Sequence, residues 1–365
     1  MKIAILGTHG IPARYGGFET CAEEISIRLV QKGHEVVVYS KSDDPAKAPT
    51  EYKGVRLKQF PKFRRQYADY AYHGFITTLD ALASDADVLH FFGCDHVPFA
   101  LLARLAGKKV VLTVNGLEWR RMGYPFIYKA YLRSFAELAM VFPHATVADS
   151  RSSQSWYAER TGVSPEYIPY GTTISSTVDE KVLAKYNLER DRYVLFVGRL
   201  VYEKGIHTLV EGFAKVKTDL KLVIIGGAIT PGSYVDNLKK KADERVVFLG
   251  YVHGSDYESI RNAARVYVHP SLFDGTSISL LGAMGAARSV LSSDLKENVD
   301  VGGDGVLFFE KESSADLAAK LQELLDSPSL GRDWGNRALS RAKSLPSWDD
   351  IARSYEAVYN NLLKR

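Results

Sequence analysis

Residues 2–40 read KIAILGTHGIPARYGGFETCAEEISIRLVQKGHEVVVYS. KIAILG and HEVVVYS are short apolar runs, and between them apolar positions fall at Cys21, Ile25, Leu29 and Val30. Two continuous apolar runs flanking a helical period make a βαβ unit, whose parallel strands are buried on both faces. The spacing predicts a helix from Glu19 to Lys32, with Gly33 as its stop.

Outward from this unit the alternation continues, with strands expected at Val88–Phe92, Val110–Val114 and Ala145–Ala148. IPYGTT at 168–173 interrupts it, and a second series begins after residue 190. YVLFVGRL, KLVIIGG, VVFLGYV and ARVYVHPS read as strands, and HTLVEGFAKV as a helix. At 365 residues the chain exceeds the usual size of one core. The fold class is therefore α/β, with two Rossmann-like domains. Trp348 to Lys364 carries Ile351, Tyr355, Val358 and Leu362 at helical spacing, an amphipathic closing helix. Neither a tandem repeat nor a low-complexity tract interrupts the two series.

A hydrophobic fraction of 46% and a charged fraction of 25% are those of an ordinary globular protein. The net charge of +4 permits attraction to phosphates or anionic lipid but requires neither. Cys21 and Cys94 stand far apart, with no paired framework or metal-ligand spacing, as in a reducing compartment. The apolar run Ile3–Leu6 is too short for a leader core, and no stretch approaches the length of a spanning helix. The expected location is cytoplasmic, with any membrane contact peripheral.

Three strand-to-helix loops carry the chemistry. THGIPARYGGFET follows the first strand, and Gly16 and Gly17 would let the backbone approach a diphosphate at a helix N-terminus. Its glycines, at 7, 10, 16 and 17, do not make the dinucleotide fingerprint, so a plain glycine-rich turn is the alternative. GRLVYEKG at 198–205 would place Arg199 and Lys204 at a strand's carboxyl end, where they could neutralise a departing diphosphate. A solvated loop pair is the other reading. In HPSLFDGTSISLLGAM, 269–284, Asp274 could bind sugar hydroxyls while Ser277 and Ser279 hold phosphate oxygens, or either serine is only a helix cap.

At these sites the chain resembles a GT-B glycosyltransferase of the large retaining family 4, in particular the subgroup of bacterial rhamnosyltransferases of polysaccharide assembly. GTHGIPARYGGFET, NGLEWRR at 115–121, IPYG at 168–171, GRLVYEKG and HPSLFDGTSISLLGAMGA carry the similarity in the expected order. It implies an acceptor-side domain over 1–170, completed by a closing helix 348–364 that crosses back, and a nucleotide-sugar domain over 171–347. The two would face a cleft whose closure excludes water. Arg199 and Lys204 match the family's diphosphate pair, and Gly16 and Gly17 match its glycine loop. Asp274 matches the first acid of its E-x7-E motif, and Tyr251 and Val252 fall where it holds the nucleobase. Asn115 and Glu118 would position hydroxyls around the reacting centre; their alternative is turn and helix-start chemistry.

Where the second acid of that motif is expected, residue 282 is glycine. The resemblance leaves three accounts: a donor without a ribose hydroxyl, as in a deoxythymidine nucleotide; replacement by Glu297; or weak donor binding. The expected reaction is departure of a nucleoside diphosphate, an oxocarbenium-like sugar and attack by an acceptor hydroxyl with retained configuration. A leaving-phosphate oxygen could take the acceptor's proton. No cofactor or metal is expected. The only D-x-D triplet, Asp85-Ala86-Asp87, sits just before a strand, where helix-end and solvation duties suit it. Lys62-Phe63-Arg64-Arg65-Gln66-Tyr67 mixes basic and aromatic residues, which suits anionic lipid and a lipid-linked saccharide acceptor. A solvated helix start is its alternative, and Arg120-Arg121 either extends the patch or faces water. Two other functions fit the architecture, an isomerase or phosphorylase and a non-catalytic partner subunit. No recurring basic stripe suggests nucleic acid.

Overall fold

The computed structural model describes residues 1–14, 16–63, 66–120, 123–228 and 233–364. The chain divides into two compact units, Met1–Tyr170 with Trp348–Arg365, and Gly171–Ser347.

The first unit is built on strands β1 (Lys2–Leu6), β2 (Glu35–Ser42), β3 (Glu51–Tyr52), β4 (Val55–Pro61), β5 (Val88–Phe92), β6 (Lys109–Val114), β7 (Ala145–Ala148) and β8 (Glu166–Tyr167). Among the described residues they form one sheet in the order β3-β4-β2-β1-β5-β6-β7-β8, parallel except for the β3–β4 hairpin. β1 sits between β2 and β5, with Ile3 level with both Val36 and Val88. On one face Leu89, Phe91 and Leu112 pack with Val97, Ala100, Leu132 and Ala136.

On β5 the apolar run is broken by His90. Its Nδ1 pairs with the Tyr359 hydroxyl at 2.8 Å and its Nε2 with Thr113 Oγ1 at 2.7 Å. Thr113 Oγ1 in turn lies 3.1 Å from the Tyr355 hydroxyl. Burial pushes the imidazole down to about 3, so it is neutral, and the polar ladder ties the closing helix Trp348–Leu363 to the sheet. That helix also meets the first helix, Gly17–Gln31, through Asp349 and Arg28, and the turn after it through Glu356 with Lys32 and His34.

The second unit carries β9 (Tyr193–Val197), β10 (Lys221–Ile225), β11 (Val246–Gly250), β12 (Val266–His269), β13 (Ser289–Ser293) and β14 (Leu307–Phe309) in the parallel order β11-β10-β9-β12-β13-β14. Alternate residues of β9 serve two cores. Val194 and Phe196 pack with Leu209, Phe213, Leu317 and Leu321, while Tyr193 and Leu195 pack with Ile260, Leu280 and Met284. The strand order reverses between β9 and β12 here, and between β1 and β5 in the first unit. Ligands of open α/β sheets bind at such a point, outside the carboxyl ends of the strands.

The first helix runs Gly17–Gln31, starting two residues before the expected Glu19. The helix after β9 covers Ile206–Phe213 and stops short of the expected Val216.

Candidate active site

In the second unit, the loops leaving β9 and β12 meet at the switch point. Gly205, at φ +64, closes the first loop, and a Cβ there would lie 1.9 Å from the Pro270 carbonyl oxygen of the second. The Glu203 carbonyl accepts from the Leu272 and Phe273 amides at 2.8 and 3.2 Å. Held this way, Lys204 Nζ forms an ion pair with Asp274, each side chain being 15% exposed. His269, buried at the end of β12, places Nε2 3.2 Å from Asp274 Oδ2, and Ser271 Oγ donates to the same oxygen at 3.2 Å. The Gly275 amide donates to Asp274 Oδ1 at 3.1 Å. Burial opposes charge on Asp274, but Lys204 and His269 outweigh it and hold the carboxyl well below its ordinary range. Burial likewise lowers His269 despite the neighbouring carboxylate.

Lys204 and Asp274, assigned from sequence to different parts of a donor, are thus direct partners. Arg199 stands on the same β9 loop, half-buried, five residues before Lys204. Ser277 caps the helix Ile278–Gly285, accepting from the Leu280 amide. Its Oγ lies 3.1 Å from Ser279 Oγ, which accepts from the Tyr267 hydroxyl at 2.8 Å. Both serines therefore have structural partners beside any phosphate role. Tyr251 is 49% exposed, stacked on His253, with its hydroxyl donating to the Gly227 carbonyl at 3.2 Å. Val252 is buried in the core, so its main chain is what could meet a base. Glu297 lies in the first turn of the helix Lys296–Gly302.

In the first unit, Gly16 is the extended residue before the first helix. A Cβ on Gly17 would lie 3.0 Å from the Tyr170 ring. Two acids of that helix reach back into the glycine loop: Glu19 accepts from the His9 amide at 2.9 Å, and Glu23 from the Ala13 amide at 2.6 Å. Part of the anion-seeking backbone is therefore already answered by the chain's own carboxylates.

Asn115 and Gly116 turn the chain out of β6, and Glu118 opens the short helix Glu118–Arg120. Beneath this turn lies a residue that sequence reading missed. Asp149 follows β7, fully buried, with Tyr170 and the Gly116 main chain facing its carboxyl. Burial raises it to about 7, against the help of those two neighbours, with Glu118 adding to the rise. Its only sequence signal is an acid at a strand's carboxyl end, in VADS.

Asp85 and Asp87 both bond to Lys2, through its ammonium and its amide. Lys62 pairs with Asp43 at 2.8 Å, and the Phe63 amide donates to Asp69 at 2.6 Å. Arg64, Arg65, Arg121 and the side chains of Gln66 and Tyr67 lie outside the described residues. Among the described residues, no helix is long and apolar enough to cross a membrane.

Two Rossmann-like units, each with its ligand-competent loops at a strand-order reversal, define the GT-B class of glycosyltransferase. The family model for glycosyltransferase family 4 matches residues 15–175, and the model for glycosyl transferases group 1 matches residues 191–327. The chain belongs to these group 1, family 4 glycosyltransferases. It is 26% identical to an uncharacterised glycosyltransferase of Methanocaldococcus jannaschii, over 98% of each chain. It is also 25% identical to the N-acetylgalactosamine-N,N'-diacetylbacillosaminyl-diphospho-undecaprenol 4-alpha-N-acetylgalactosaminyltransferase of Campylobacter jejuni, over 67% of this chain and 68% of that one. Among solved structures, Anabaena HepE in complex with UDP and glucose superposes with a TM-score of 0.82 at 18% identity, over 99% of this chain and all of that one.

Proposed function

We propose that the protein moves a hexose, rhamnose being the leading candidate, from a nucleoside diphosphate onto a saccharide or lipid-linked saccharide in polysaccharide assembly. The observation that carries the donor assignment is the cluster of Lys204, Asp274 and His269 at the switch point of the second unit. A lysine paired with a carboxylate, on the same loop as Arg199, is placed to exchange that pairing for a diphosphate, whose leaving charge both cations would offset. Released from Lys204, Asp274 would accept hydrogen bonds from the sugar hydroxyls. Ser277 and Ser279 would offer their hydroxyls to the diphosphate, and in the first unit Gly16 and Gly17 keep the diphosphate-binding role that the family's glycine loop implies.

In this reading no metal is needed, since cations and helix N-termini meet the charge. The sugar passes through an oxocarbenium-like state and keeps its anomeric configuration, with a leaving-phosphate oxygen taking the acceptor's proton. Asn115 and Glu118 position the acceptor. Tyr251 and the Val252 main chain hold the base.

A membrane-borne acceptor is supported by the first unit's surface. Phe63 and, at helical spacing, Tyr72, Phe75 and Leu79 are exposed on and beside the helix Gln66–Leu82, and Phe126 and Ile127 are each 83% exposed. Exposed apolar side chains of this kind suit the interface of an anionic bilayer on which a lipid-linked acceptor is carried.

The test is incubation with nucleotide-sugars, dTDP-rhamnose among them, with and without a lipid-linked disaccharide and with EDTA present. Acceptor-dependent sugar transfer in EDTA, with the donor's anomeric configuration in the product, is the expected result. Turnover of the donor into a sugar isomer or sugar phosphate without acceptor would replace this reading with an isomerase or phosphorylase.

A further inference from the structure

Arg261 is 5% exposed, and its guanidinium Nη2 has no hydrogen-bond partner among the described residues. Its Nε donates to the neighbouring Asn262 side chain at 3.1 Å, and the group lies 5.3 Å from the centre of the Tyr257 ring. A guanidinium this deep ordinarily faces a carboxylate. What it faces instead is Gly282: a Cβ there would lie 2.7 Å from Nη1 and 3.4 Å from both Cδ and Cζ.

Residue 282 is where the resemblance places the family's second acid, which accepts hydrogen bonds from ribose hydroxyls. The side chain of an acid at 282 and the buried guanidinium would therefore compete for one space. A group that only accepts has been exchanged for one that only donates. Gly282 lies on the helix Ile278–Gly285, directly after the loop that carries Asp274.

We propose that Arg261 is a specificity-determining residue of the nucleoside subsite, donating from the position of the absent acid to the oxygens of the nucleoside sugar. The assignment rests on the nucleotide-donor reading above. A sugar hydroxyl can satisfy either polarity, since it both donates and accepts. Fluorine can only accept, so replacing a hydroxyl by fluorine separates the two cases.

The experiment is titration calorimetry with UDP, GDP, ADP and dTDP, followed by the 3′-fluoro-3′-deoxy analogue of each nucleotide that binds, and the 2′-fluoro analogue of each ribonucleotide. Parent, Arg261→Met and the double variant Arg261→Met/Gly282→Glu, in which the acid has the space it needs, are compared, with Arg199→Ala as control. In the parent, fluoro and hydroxyl ligands should bind within about threefold of each other. The double variant should restore a carboxylate, against which fluorine costs about tenfold or more. Arg261→Met should weaken the hydroxyl nucleotide about tenfold. If neither variant folds, the comparison of fluoro and hydroxyl ligands on the parent decides alone.

A tenfold loss on fluorination in the parent would overturn the proposal, since it would mean that an acceptor such as Glu297 holds the sugar. A folded Arg261→Met of unchanged affinity would overturn it equally. Failure of every nucleotide to bind the parent would instead remove the donor reading itself, an outcome distinct from either.

Discussion

Asp149 lies under the Asn115–Glu118 turn with its carboxyl raised by burial to about 7, against an ordinary value near 4 in the unfolded chain. Folding therefore takes up a proton at this site between about pH 4 and pH 7. Its contribution is full below the unfolded value and is lost as the pH rises through the folded one. Asp149→Asn, which mimics the protonated acid, should flatten the fall in unfolding free energy by up to about 1.4 kcal/mol per pH unit in that window. Urea denaturation of both proteins at intervals from pH 4.5 to 7.5 measures it, and parallel curves would show that the carboxyl titrates normally. Asp149 and Arg261 were not legible in the sequence because their character comes from burial and from neighbours distant in the chain. Arg199, Lys204 and Asp274 could be picked out because each lies in a loop after an apolar strand and also matches a family motif, whereas Asp149 has the same strand-end position without a motif.

The loops after β9 and β12 work as one element, joined where Gly205 passes under the Pro270 carbonyl. Gly205→Ala would force a side chain into a left-handed conformation and a 1.9 Å contact, so a loss of more than about 2 kcal/mol in stability is expected. Nucleotide binding should fall further than this loss alone explains, because the Lys204–Asp274 pair is set by that crossing; a stable variant with intact binding would break the link. At the other end of the chain, Tyr359→Phe should strip His90 Nδ1 of its buried partner and cost about 1–3 kcal/mol at unchanged m-value. An unchanged midpoint would mean that the polar ladder does not anchor the closing helix. Strands dominated by apolar residues were readable, and β5 and β7 run as expected over Val88–Phe92 and Ala145–Ala148 although His90 interrupts β5, whereas β4 (VRLKQFP) and β13 (SVLSS) carry too many polar residues to stand out. The first helix begins earlier than its apolar period suggests, since that period says nothing of Gly17, whose lack of a side chain admits the Tyr170 ring.

Across the molecule, the strand order of each sheet could not be read from the sequence. Order depends on which distant runs pair, while local pattern reports only that a run is buried. It is this order, with β9 beside β12, that brings two separate motifs of the second unit, GRLVYEKG and HPSLFDG, together at one site. The same site explains why a chain with only +4 net charge can be expected to hold a diphosphate: the cations are few but placed. The most direct measurement is a thermal-shift panel of UDP, GDP, ADP and dTDP on the parent and on Arg199→Ala. The account predicts that at least one nucleotide at about 100 times its Kd stabilises the parent by about 2.7 kcal/mol, and that Arg199→Ala abolishes most of this. A folded parent that no nucleotide stabilises, or an Arg199→Ala variant stabilised as fully as the parent, would contradict the donor site and favour a non-catalytic partner subunit.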